Sequence, residues 1–137
     1  MDGEYSHNLD AKNRLTIPSK YRDELGADVV LARGSANNLL LLPYEIWRER
    51  LKGIDDFPPA QRNALRELAY HYAARMAPDA QGRIIMPKEH MEHAGVNNSV
   101  VVIGQGDYCV IWAAEKWNAH IAELEKGLLD DYAALQL

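Results

Sequence analysis

The chain contains an internal repeat, and that repeat constrains every fold it can adopt. Shifted by 69 residues, Asp10-Ala11 falls on Asp79-Ala80, Arg14 on Arg83, Leu15 on Ile84, Pro18 on Pro87 and Gly26 on Gly95. Past Gly26 the offset becomes 70, placing Val30 on Val100, Gly34 on Gly104, Leu41 on Ile111, Glu45 on Glu115 and Trp47 on Trp117. A slip of one residue is what an insertion in a surface loop produces. The period is too long and the copies too few for a solenoid, so the two copies are expected to pair with each other. The chain then divides into a first repeat with its terminal helix (1–54), a Pro-containing linker with a connecting helix (55–73), and a second repeat with a C-terminal helix (74–137).

Both copies read alike. Tyr5 to Leu9 is a strand, Ala11-Lys12-Asn13 (Ala80-Gln81-Gly82) a turn, and Arg14 to Ile17 (Arg83 to Met86) the return strand. Asn13 and Gly82 are equivalent, and these residue types best tolerate positive φ, as a three-residue hairpin loop requires. Pro18 and Pro87 stand where a helix opens, at its first position. Gly26 and Gly95 are expected to end those helices as left-handed caps. Val29 to Ala32, Leu39 to Leu42, Val100 to Ile103 and Tyr108 to Trp112 read as short strands buried on both faces. Asp55-Asp56-Phe57-Pro58-Pro59 stops a helix that runs from about Tyr44 to Lys52. Ala60 to Ala74 follows, with Ala64, Leu65, Leu68, Ala69 and Tyr72 at helical spacing. The last helix starts near Ala114 and extends toward Leu137 unless Gly127 interrupts it. Its stripe of Trp117, Ile121, Leu124, Leu128 and Leu135 must be buried on its own core or on another subunit. The expected class is therefore α+β.

Composition narrows the function. The longest apolar run is seven residues, Tyr108 to Ala114, where a membrane helix needs about twenty, so no membrane role is expected. The opening Met1-Asp2-Gly3-Glu4 is acidic and unlike a secretory signal, which points to the cytoplasm. Cys109 is the only cysteine and sits among apolar residues as a small core side chain rather than a nucleophile. The net charge of −5 argues against nucleic acid. Residues 11 to 22, however, hold Lys12, Arg14, Lys20 and Arg22 without an acid, a local charge of +4. Residues 115 to 137 carry five acids (Glu115, Glu123, Glu125, Asp130 and Asp131) against Lys116 and Lys126.

The shared motif is Asp-Ala-x-x-Arg. Across a three-residue loop Asp10 and Arg14, like Asp79 and Arg83, face each other within reach of an ion pair. One reading is purely structural: the Asp accepts loop N–H groups and the Arg pairs with it. The other gives the Asp the task of positioning an Arg whose planar fork meets phosphates or a guanine edge, with Lys12 adding a phosphate contact.

Taken together, the tandem D-x-x-x-R motifs, the segments EYSHNLDAKNRLTIPSKYRDEL and DAQGRIIMP, the turn Gly104 to Asp107, and Ile111-Trp112 with Trp117 resemble the MraZ family of bacterial transcriptional regulators. The resemblance spans almost the whole chain. It implies two AbrB-like swapped-hairpin halves folded as a pseudo-dimer, a double swapped-hairpin barrel. It further implies ring-like homo-oligomers, associated with the nucleoid, that bind short direct repeats upstream of the division and cell-wall gene cluster, usually repressing it. The family's DNA-contacting positions map onto Lys12, Arg14 and Arg83, with Lys20 and Arg22 as further basic candidates, while Asp10, Asn13, Asp79 and Gly82 shape the turns. Asn13 departs from the family's usual Gly. Gln81, Glu89 and Met91 stand where the first copy has Lys12, Lys20 and Arg22, so the first turn is expected to dominate.

Other classes are less well supported. His90 and His93 lie at i, i+3 and with His71 invite a metal reading, but exposed helical histidines explain them and no ligand spacing completes a site. No nucleophile elbow or P-loop is present, so neither an enzyme, a cofactor nor a small-molecule substrate is expected. An antitoxin-like or other protein-binding module of the same fold is the alternative, although its usual single hairpin and flexible tail differ from this duplicated chain.

Overall fold

A computed structural model describes residues 1–137. The repeat organises it completely. In chain order the first half contributes β1 (Glu4–Asn8), β2 (Arg14–Thr16), α1 (Ser19–Leu25), β3 (Val29–Arg33), β4 (Leu39–Pro43) and α2 (Tyr44–Leu51). A 3-10 turn (Lys52–Asp56) and α3 (Pro59–Tyr72) lead to the second half: β5 (Ala74–Met76), β6 (Arg83–Ile85), α4 (Lys88–Ala94), β7 (Ser99–Gly104), β8 (Cys109–Ala113) and α5 (Ala114–Ala134).

The strands are exchanged between the halves. Six of them form one antiparallel sheet in the order β1-β7-β8-β4-β3-β5, and β2 pairs with β6 in a separate ribbon. Thus β1 lies against β7 of the other copy, and its equivalent β5 lies against β3. Two pairings are centred on equivalent residues, Leu40 opposite Val110 in the sheet and Leu15 opposite Ile84 in the ribbon. The pseudo-twofold axis of the repeat passes through both.

One core lies between sheet and ribbon. It takes Leu15 and Ile84 from the ribbon, Tyr21 and Leu25 from α1, and the inward residues of the sheet, among them Leu31, Leu41, Val102 and Ile111. Burial of both faces of the sheet explains why its strands read as continuous apolar runs: Val30, Leu42 and Trp47 form a smaller cluster on the outer face. Cys109 is fully buried, and burial pushes its thiol up to about 12.

Several expectations need correction. The two Asp-Ala-x-x-Arg segments are tight turns, but their flanking strands do not pair as hairpins; each departs to pair with the other half. The six-stranded sheet is not closed into a barrel. The connecting helix ends at Tyr72, and Ala74–Met76 is a strand; helix-compatible alanines hid it. Pro18 and Pro87 precede their helices as cap residues, since α1 and α4 begin one residue later. Gly95 is a left-handed cap, whereas Gly26 has positive φ with an extended ψ. Gly127 does not interrupt α5. His90 is buried rather than exposed, its Nε2 lying 2.8 Å from the Tyr72 carbonyl at the end of α3.

Candidate nucleic-acid interface

Each turn is built around its aspartate. The Asp10 N–H donates to the Arg14 carbonyl at 3.1 Å, and the Asn13 N–H donates back to the Asp10 carbonyl at 3.0 Å. Asp10 Oδ1 accepts the backbone N–H groups of Lys12 and Arg14, both at 2.9 Å. Its Oδ2 accepts Arg14 Nε at 2.7 Å. The second turn repeats the pattern: Asp79 Oδ1 takes Gln81 N at 3.0 Å and Arg83 N at 2.8 Å, and Oδ2 takes Arg83 Nε at 2.8 Å. Backbone N–H donation, from Arg14 and Arg83 respectively, ahead of the guanidinium itself, holds both carboxyls below the usual carboxylate range.

Closing such a turn requires a left-handed residue, and Asn13 (φ 58°) and Gly82 (φ 75°) supply it. Their carbonyls then serve the opposite half. Gly82 O accepts the Ile17 N–H and Asn13 O the Met86 N–H, both at 2.9 Å. These bonds extend the β2–β6 ribbon at both ends and bind each turn to its counterpart.

The ribbon therefore has two different faces. Leu15 and Ile84 point into the core at 0% and 2% exposure. Arg14, opposite Ile85, and Arg83, opposite Thr16, occupy the outward face. Diagonal neighbours on such a ribbon are about 7–8 Å apart, so the two arginines flank a common patch. The aspartates hold them by Nε alone, which leaves the terminal nitrogens of Arg14 free of protein partners. Arg83 Nη2 is also engaged by Gln81 Oε1 at 3.3 Å. A guanidinium fixed at Nε with its outer nitrogens free is oriented for a bidentate acceptor at little entropic cost.

The other basic candidates differ in their engagement. Lys12 is exposed at the tip of the first turn. Lys20 Nζ pairs with Asp2 at 2.7 Å, and that carboxylate keeps the ammonium above its ordinary range. Arg22 Nε donates to the Ile17 carbonyl at 3.1 Å, and its side chain lies over Gly82. Arg22 thus props the second turn from the first half, a contact that only the strand exchange makes possible. Sequence reasoning missed Thr16 and Ile85, the remaining outward residues of the ribbon. Ile85 is 62% exposed, and the signal for it was period-two alternation around Ile84.

Comparison with known proteins agrees with the duplication. The sequence model of a family described as "MraZ protein, putative antitoxin-like" matches residues 1–67 and again residues 70–136. A transcriptional regulator MraZ of Herpetosiphon aurantiacus is 42% identical, with 84% of this chain and 82% of the relative aligned. One from Leuconostoc mesenteroides is 36% identical over 93% of this chain and 96% of its own length. Another, from Halothermothrix orenii, is 32% identical over 98% and 95%. With both copies matched and relatives aligned over 82% and 96% of their length, the chain belongs to the MraZ family.

Proposed function

We propose that this protein is a sequence-specific DNA-binding transcriptional regulator. In this reading it is a repressor of short direct repeats upstream of a division and cell-wall gene cluster. The observation that carries it is the outward face of the β2–β6 ribbon, where two arginines are clamped by Nε, Arg14 with both outer nitrogens free and Arg83 with one of them held by Gln81. A two-stranded ribbon fits the major groove, where such a fork meets guanine O6 and N7. Arg14 is the principal reader and Arg83 its partner. Lys12 contacts a phosphate beside them. Lys20 and Arg22 add positive potential behind the first turn, Arg22 mainly by holding Gly82 in place. Asp10, Asn13, Asp79 and Gly82 keep the turns in shape.

The relatives named as transcriptional regulators support this assignment. In the same reading the three segments 1–54, 55–73 and 74–137 act as repeat, connector and repeat. The site of action is the nucleoid in the cytoplasm. One chain would offer about three or four phosphate contacts from its basic side chains, fewer than the roughly six to ten of strongly salt-dependent binders. A ring-like homo-oligomer on repeated sites turns these contacts into avidity.

The test is fluorescence anisotropy of the protein on its own upstream DNA against a scrambled duplex, across a salt series. Arg14→Ala is expected to cost about 1–3 kcal/mol with relaxed specificity, and Lys12→Ala to weaken all sequences alike and lower the salt slope by about one. Equal affinity for both duplexes, or for wild type and Arg14→Ala, overturns the assignment and makes a protein partner the better reading.

A further inference from the structure

The sheet and the ribbon expose one apolar residue. At every other exposed strand position the side chain is polar: Glu4, Ser6, Asn8, Arg75 and Ser99. Ile85 is 62% exposed and belongs to neither apolar cluster. Strand propensity accounts for a β-branched side chain here but not for an aliphatic one, because the equivalent position of the first copy is Thr16, in the same ribbon.

The surroundings of Ile85 are cationic. Arg14 lies directly across the ribbon, and Arg83 lies two positions back on the same strand. Both guanidinium groups are drawn onto their aspartates, and the two side chains are only 27% and 28% exposed. The aliphatic tip is therefore more open than the arginines and the half-buried Thr16 beside it. Whatever reaches the free nitrogens of Arg14 meets Ile85 as well.

A surface that carries hydrogen-bonding groups alone is a poor match for such a face. An isoleucine pressed against donors or acceptors removes their water and returns no hydrogen bond. Along the major groove the guanine, cytosine and adenine edges offer only such groups, whereas thymine adds a C5-methyl. Reach agrees with that partner. The Cβ atoms of directly opposite residues stand about 4.5–5.5 Å apart, and successive bases of one strand rise about 3.4 Å. Ile85 thus falls one or two base steps from the base that Arg14 reads.

We infer that Ile85 is a specificity-determining residue, packing on the C5-methyl of a thymine within two base steps of the guanine held by Arg14. The inference rests on the DNA-binding reading above and adds a second requirement to it: the arginines select guanine, and Ile85 demands a thymine at one fixed place beside it. A threonine serves several bases, so Thr16 leaves the second turn without the same demand.

Exchanging thymine for uracil removes that methyl and keeps the base pairing. Fluorescence anisotropy on the upstream box, each thymine replaced in turn, compares wild type with Ile85→Val and Ile85→Ala, both checked for unchanged circular dichroism. Wild type is expected to bind about fourfold more weakly when one particular thymine becomes uracil, the worth of one buried methyl(ene) group. Ile85→Ala is expected to lose at least as much on the unmodified box and to ignore that uracil, and Ile85→Val to keep most of the discrimination. Replacing guanines by 7-deazaguanine locates the base of Arg14 as the one whose change weakens wild type but not Arg14→Ala. Equal binding of wild type to the upstream and scrambled duplexes overturns the DNA-binding reading and this inference with it. Specific binding without any uracil effect overturns the inference alone. So does a uracil effect that persists in Ile85→Ala, since another side chain then reads the methyl. The absence of a guanine assigned to Arg14, or a sensitive thymine more than two steps from it, overturns it too.

Discussion

Gly82→Ala probes the exchange of strands through a single atom. Gly82 sits at φ 75°, where a Cβ would stand 2.6 Å from Arg22 Cζ and 2.8 Å from its Cδ. Two costs follow. A left-handed alanine is disfavoured by about 1–2 kcal/mol. Moving Arg22 aside breaks its Nε bond to the Ile17 carbonyl at 3.1 Å, about 1 kcal/mol for a partly exposed hydrogen bond. Together Gly82→Ala is expected to lower stability by about 2–3 kcal/mol. In an Arg22→Ala background only the backbone cost remains, so the coupling energy is about 1 kcal/mol. Urea unfolding of the four members of the cycle, with constant m, reads both quantities. An equal loss in the two backgrounds refutes the claim that Arg22 of the first half rests on the turn of the second. A loss near zero in both refutes the need for a left-handed residue at that position.

Two further expectations concern titration and reactivity. Asp10 and Asp79 are held below the ordinary carboxylate range by backbone and arginine donors. Their contribution to stability is present above the unfolded pKa, near 3.8, and is lost as pH falls through the lower folded values. These carboxyls are thus expected to leave stability flat between about pH 5 and 7 and to reduce it below about pH 4, with Asp10→Asn and Asp79→Asn flattening that acid limb. A midpoint of the Asp10 and Asp79 side-chain titrations at or above 3.8, followed by NMR, contradicts the turn geometry. Cys109, pushed up to about 12 in a fully buried site, is expected to react with an aromatic disulfide reagent only after denaturant is added. Reaction of the native chain at the rate of a free thiol contradicts its burial.

What the sequence disclosed and withheld follows from the range of the forces involved. The turns were legible because their chemistry is local: an aspartate, a residue tolerant of positive φ and an arginine within five positions determine one another. The apolar runs disclosed strands buried on both faces. Strand partners were not legible, since a hairpin and an exchange satisfy the same alternation, and only the packing of Leu15 against Ile84 decides between them. The β5 strand escaped because Ala73-Ala74 extends a helical pattern, and its pairing with Val29–Leu31 is a tertiary cause that no local propensity reports. Lys20 and Arg22 read as free cations like Lys12; their partners, Asp2 and the Ile17 carbonyl, become visible only in three dimensions. Ile85 was hidden by its own apolar character, which reads as core until its neighbour Ile84 takes the inward position.

The duplication also determines what kind of DNA site this reading permits. A homodimer of single repeats presents two identical turns about a true twofold axis and matches a palindrome. Here the axis through Leu15 and Ile84 is only approximate: Lys12 faces outward where the second copy has Gln81, which occupies Arg83 Nη2. Lys20 and Arg22 likewise answer to Glu89 and Met91. The ribbon therefore has a direction, strong at the first turn and weaker at the second. A directional unit finds its match in DNA boxes that share one orientation. Inverting one box presents the weaker turn to contacts suited to Lys12 and Arg14, and a mismatched contact costs about 1–3 kcal/mol per site. On duplexes built from two copies of its upstream box, the protein is expected to bind the direct arrangement at least several-fold more tightly than the inverted one at equal spacing. Substituting Gln81→Lys, which restores the missing cation and removes the hold on Arg83, is expected to narrow that preference. Equal binding to both arrangements by wild type sinks the argument, because it means that the two turns read DNA alike despite their different side chains.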